Sequence, residues 1–63
     1  MGERIKNIRK AKGLKQDDLA ERSGLNRAHL YRLENGHQSM TLRTLKIIAD
    51  ALEVRVVELV KGL

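Results

Sequence analysis

Cysteine, proline, phenylalanine and tryptophan are all missing from this chain, and Tyr31 is its one aromatic residue. Without cysteine there is no disulfide and no cysteine-based metal staple, so the core must come from aliphatic packing between helices, with help from a partner subunit where that falls short. A binder of RNA or single strands normally stacks bases on several aromatic rings, and one tyrosine argues against that class. No apolar run approaches the length that spans a bilayer, and the basic N-terminus MGERIKNIRKAKG has no uncharged signal core. The protein is therefore expected in the cytoplasm, with no membrane partner.

Chemistry of the catalytic kind is equally poorly supplied. There is no cysteine nucleophile and no glycine-rich phosphate loop, and His29 and His37 straddle a helix end at a spacing unlike a metal pair. Ser23 and Ser39 have no evident base partner and read as turn residues. No enzyme activity, cofactor, metal or small-molecule ligand is expected.

What remains is charge and helical periodicity. A formal charge of +5 and a pI near 10.1 are high for 63 residues and favour a polyanionic partner. A chain of this length is read as a single domain, residues 1–63, that buries roughly 60% of its unfolded surface. Apolar residues recur at helical spacing and glycines punctuate them, which predicts an all-α fold of five helices. Ile5 and Ile8, continued by Ala11 and Leu14, form the stripe of a first helix over about 3–12, leaving Arg4, Lys6, Lys10 and Lys12 largely in water. A second helix runs from 16 to 22 or 23, with Asp17 and Asp18 in its first turn, where the helix dipole favours negative charge. Asn26 caps a third over about 27–35, and Thr41 caps a fourth with Leu42, Leu45, Ile48, Ala49 and Leu52 on one face. A short fifth helix covers about 55–61.

The most informative stretch is residues 16–33, QDDLAERSGLNRAHLYRL. It reads as two short amphipathic helices joined by a glycine turn, with the small Ala20 and the Cβ-free Gly24 letting their backbones cross closely. On the second helix Leu30 and Leu33 point inward, while Ala28, Tyr31, Arg32 and Asn35 cluster outward with Arg27 at the edge. A guanidinium can donate two parallel hydrogen bonds to guanine O6 and N7, and a small side chain such as Ala28 can touch the thymine methyl. Arg27 and Arg32 are the first candidates for base contact in a DNA major groove.

The chain resembles the phage-repressor and Cro-type helix-turn-helix family, the xenobiotic-response-element-like regulators, over nearly its whole length. The resemblance is carried by RIKNIRKAKGLKQDDLAERSGL, the LENG closing the third helix, TLRTLKIIADAL and the VRVVELV ending. It implies a compact lambda-repressor-like five-helix domain that binds double-stranded operator DNA as a symmetric homodimer and regulates transcription, as a repressor in the first instance. Small domains of this fold also occur as antitoxins or as interaction modules of larger regulators. Carried over by position, Arg27, Ala28 and Arg32 fall at base-contacting positions, and Gln16, His29, Asn35 and Arg43 at phosphate-contacting ones. Gln16 would also support the first reading side chain of the third helix. The family pattern further pairs Arg9 with Glu34 as a partly buried ion pair tying helix 1 to the recognition helix.

The chain departs from that pattern in four places. Lys15 stands where Ser or Thr normally caps helix 2, Arg55 where a similar residue caps helix 5, and Glu53 where glycine often ends helix 4. The fourth is SMTL at residues 39–42, which lacks the proline often found before helix 4, in a region where His37 and Gln38 are further candidates for phosphate contact. For the dimer, Val54, Val56, Val57, Leu59, Val60 and Leu63 supply more apolar surface than a short terminal helix is expected to bury beneath itself.

Overall fold

The computed structural model describes residues 2–36 and 40–60. Among them all regular structure is helical: α1 (Gly2–Ala11), α2 (Gln16–Ser23), α3 (Arg27–Glu34), α4 (Leu42–Leu52) and α5 (Val56–Val60). The all-α, five-helix architecture is the one expected. His37, Gln38, Ser39 and Leu63, named above, lie outside the described residues.

The helices wrap one aliphatic core. Ile5, Leu19, Leu30, Leu33, Ile48, Leu52 and Leu59 are fully buried, drawing on all five helices, and each contributes about 1.5–3 kcal/mol of hydrophobic stabilisation. α1 packs on α3 and α5, α2 on α3 and α4, and α4 on α5. α3 is thus held from two sides while its outer face stays open. None of the described helices is long and apolar enough to cross a membrane.

Three expectations about the core need correction. Ala11 is exposed, because α1 ends there and the chain turns away through Lys12 and Gly13. Leu42, the first residue of α4, is 74% exposed, since the inward face of that helix begins one turn later at Leu45. At the C-terminal end Leu59 of α5 belongs to the core, and Val54, before α5, packs against that core with Val56 and Val60; Val57 is 52% exposed. The terminal helix therefore leaves less apolar surface uncovered than its composition suggests.

The ends of the helices follow local chemistry. Thr41 Oγ1 accepts from the Thr44 backbone N–H at 3.1 Å, opening α4. At the other end of α4, Glu53 sits in the left-handed region at φ 59°, ψ 41°, the conformation for which glycine is the natural residue. Before α2, Lys15 has no side-chain acceptor, yet its backbone N–H donates to Asp18 Oδ2 at 2.8 Å, so one arm of a capping box survives. Arg4 is half-buried instead of lying in water, its Nε donating to the Glu58 carbonyl at 2.9 Å and tying α1 to α5.

Candidate nucleic-acid interface

The α2–turn–α3 unit is positioned by short-range interactions and by one buried ionic cluster. Gly24 closes α2 at φ 74°, its N–H donating to the Ala20 carbonyl at 2.9 Å. A Cβ built on Gly24 would meet nothing within 4 Å, so this glycine is required by its left-handed backbone and not by close helix crossing as expected. Ser23 Oγ then accepts from the Leu25 N–H at 3.2 Å, and Asn26 Oδ1 accepts from the Ala28 N–H at 2.7 Å to start α3. Leu30 and Leu33 fasten the inner face of α3 to the core.

α3 stops one residue short of the expected end. Asn35 is its cap: its N–H donates to the Tyr31 carbonyl at 3.0 Å and its Nδ2 to the same oxygen at 2.8 Å, while Gly36 turns the chain at φ 74°. The Tyr31 carbonyl thus takes the last i→i−4 backbone bond of the helix and the Asn35 side-chain amide on one oxygen.

Beneath this end lies the ionic cluster. Arg9 Nε donates to Glu34 Oε2 at 2.7 Å and Arg9 Nη2 to Glu34 Oε1 at 3.0 Å, a side-on bidentate pair. The side chains are 7% and 0% exposed. Arg9 Nη1 also donates to the Leu14 carbonyl at 2.8 Å, and Gln16 Nε2 donates to Glu34 Oε1 at 3.1 Å. No buried side-chain nitrogen or oxygen among the described residues lacks a partner. That completeness offsets the desolvation of two charges. One cluster thus joins α1, the α1–α2 turn, the start of α2 and the end of α3.

The outer surface collects most of the candidate side chains. Gln16, Arg27, Ala28, Tyr31 and Arg32 line one open groove along α3, so four of the seven candidate DNA contacts converge there together with Tyr31. Of the remaining three, Asn35 lines a separate cleft with Lys6, Asn7 and Lys10 of α1, Arg43 is exposed in the first turn of α4, and His29 is half-buried on α3. The lysines of α1 were not singled out in the sequence; only the packing of α1 against α3 brings them beside Asn35.

Two side chains of this surface have roles that spacing did not indicate. Gln16 spends one of its two amide N–H groups on Glu34, leaving the other and its carbonyl oxygen for an outside partner. Asp17 is the hydrogen-bond partner of the first side chain of α3: Arg27 Nη1 donates to Asp17 Oδ1 at 2.8 Å, while Gln16 lines the same groove. That hydrogen bond, and secondarily the charge of Asp17, raise the Arg27 pKa above its ordinary value. An α2 residue ten positions away in sequence is brought within reach only by the turn at Gly24, and no local spacing signals it.

Comparison with known proteins places this surface in context. Residues 5–59 match the helix-turn-helix family. The chain is 41% identical over 56 residues to the immunity repressor protein of Bacillus phage phi105, an alignment covering 89% of this chain and 39% of the repressor. It thus spans well under half the length of that relative. It is 37% identical over 59 residues to the control protein C.SmaI of Serratia marcescens, covering 94% of this chain and 70% of that protein. Among solved structures, the restriction-modification controller protein C.AhdI of Aeromonas hydrophila superposes with a TM-score of 0.89 at 38% identity, covering 92% of this chain and 88% of that one.

Proposed function

This chain belongs to the helix-turn-helix family, and from that premise we propose that it is a sequence-specific, double-stranded-DNA-binding regulator of transcription, acting as a repressor, whose α3 enters the major groove. The observation that carries the reading is the groove lined by Gln16, Arg27, Ala28, Tyr31 and Arg32. It sets two guanidinium groups and a small apolar side chain along the exposed face of a helix whose other face is locked in the core. Arg27 and Arg32 donate to base edges, Ala28 touches a thymine methyl, and Gln16, His29, Asn35 and Arg43 hold phosphates. The net charge of +5 supplies the sequence-independent attraction. A repressor and two control proteins among its relatives support the regulatory reading.

The regulator binds as a symmetric homodimer. In such a dimer the two α3 helices stand about 34 Å apart, one turn of the duplex, and read half-sites related by the two-fold axis. The test is selection from random duplex DNA at about 150 mM salt, close to physiological ionic strength, with the mass of the complex measured in solution. Enrichment of a two-fold symmetric motif with half-sites about 10 base pairs apart is expected, with two chains on each site. A flat pool with weak, salt-sensitive binding would remove the sequence-specific reading, and one chain per site would remove the dimer.

A further inference from the structure

We propose that Asp17 is a specificity-determining positioning residue, one that holds Arg27 in a base-reading orientation and penalises its diversion onto phosphate. The inference rests on the reading of Arg27 as a base contact and adds to it a residue whose charge is opposite to that of a DNA-binding surface. Asp17 Oδ1 lies 2.8 Å from Arg27 Nη1, with the two side chains 67% and 66% exposed.

The geometry leaves the useful part of the guanidinium free. Asp17 occupies Nη1, whereas Nε and Nη2 form the side edge with two parallel donors. The Arg9–Glu34 pair uses that same edge for its bidentate bond, which shows what two acceptors side by side can take from it. Guanine O6 and N7 are such a pair of acceptors. Arg27 can therefore keep Asp17 on one nitrogen while reading a base with the other two.

Charge makes the arrangement selective. In water an exposed pair of this kind contributes little. Against DNA the surface loses water, the attraction is less screened, and an unpaired carboxylate facing phosphates is repelled. A complex in which Arg27 leaves Asp17 to pair with a phosphate strands that carboxylate beside a polyanion. A complex in which Arg27 reads its base keeps the carboxylate neutralised. Asp17 thus costs more on wrong sequences than on the right one, which is discrimination by an unfavourable element.

The experiment measures binding of the whole chain to the motif enriched by selection and to a scrambled duplex of equal length, for the parent protein, Asp17→Asn, Arg27→Ala and the double variant. All altered side chains are exposed, and circular dichroism checks that the helices remain. Asp17→Asn is expected to strengthen scrambled binding more than motif binding, lowering the specificity ratio about two- to fivefold, the range set by an ion pair of this type. It is also expected to flatten the preference at the same base pair that Arg27→Ala flattens. In the Arg27→Ala background, Asp17→Asn should strengthen both duplexes alike and leave the ratio unchanged. A ratio that survives Asp17→Asn in the parent, or that falls equally in the Arg27→Ala background, overturns the proposal while Arg27 keeps its role. If Arg27→Ala flattens no base pair, the base-contact reading of Arg27 falls and the proposal falls with it.

Discussion

Gly2 stands so close to Leu33 that a Cβ added to it would clash with the Leu33 carbonyl oxygen and lie 2.7 Å from that of Glu34. The first residue of α1 is thus buried against the backbone at the end of α3, one face of the same junction that Arg9 and Glu34 hold from within. Backbone carbonyls cannot rotate away as a side-chain tip can, so Gly2→Ala must push α1 off α3. The expected cost is about 3 kcal/mol, at the upper end for overpacking. Urea denaturation measures it, and a loss below about 0.5 kcal/mol, ordinary for a surface change, would show that the contact is not needed.

The Arg9–Glu34 pair makes a sharper case. Removing either partner leaves a charge buried without compensation, at about 3–5 kcal/mol. A 63-residue chain has about 3–9 kcal/mol in total. Arg9→Met and Glu34→Gln should therefore each remove a large fraction of that total and lower the melting temperature steeply. Replacing both with apolar residues, Arg9→Met with Glu34→Leu, removes the stranded charge and should restore part of the loss. Recovery stays partial because the Leu14 carbonyl and the Gln16 amide lose their partners as well. Changes of only a few tenths of a kcal/mol in the single variants would show that the pair is not structural.

Glu53 offers a change in the opposite direction. A non-glycine residue in the left-handed region costs about 1–2 kcal/mol, and glycine returns about 0.5–1 kcal/mol of that through the greater freedom of the unfolded chain. The side chain to be removed is 78% exposed, and its ionic partner among the described residues is Arg22, at 4.0 Å. Glu53→Gly should therefore stabilise by about 0.5–1 kcal/mol, raising the melting temperature by several degrees in a domain of this size. A lower melting temperature would mean that the exposed contact to Arg22 outweighs the backbone strain.

These three sites differ in how far the sequence exposes them. The helices announced themselves through apolar spacing, through Asn26 and Thr41 as caps, and through glycine at the turns, because each of these is a local rule with a period or a fixed offset. Glu53 stood out for the same reason, as a side chain where glycine belongs. Leu42 and Ala11 fall on the apolar stripe of a helical wheel yet are exposed, because such a stripe does not tell where the neighbouring helix begins and ends. Gly2, Asp17, Lys6 and Lys10 owe their environments to residues far along the chain, and a single sequence carries no signal of such contacts. The pairing of Arg9 with Glu34, 25 positions apart, came from likeness to a family and not from spacing.

Arg32 and Arg43 separate the two kinds of DNA contact proposed above. Arg32 is exposed in the groove of α3, the position proposed for a base contact. Arg43 is exposed in the first turn of α4 and does not line that groove, the position proposed for a phosphate contact. Arg32→Ala should cost about 1–3 kcal/mol on the selected motif and relax the preference at one base pair of each half-site. Arg43→Ala should weaken every sequence alike and make the salt dependence shallower, by about 0.9 in the slope of log K against log salt for each chain bound. Binding titrations across a salt series on the motif and on single-base variants read both quantities. Uniform loss for Arg32→Ala, with a shallower slope, would reassign that arginine to the phosphates and leave Ala28 and Arg27 as the base-reading side chains of α3.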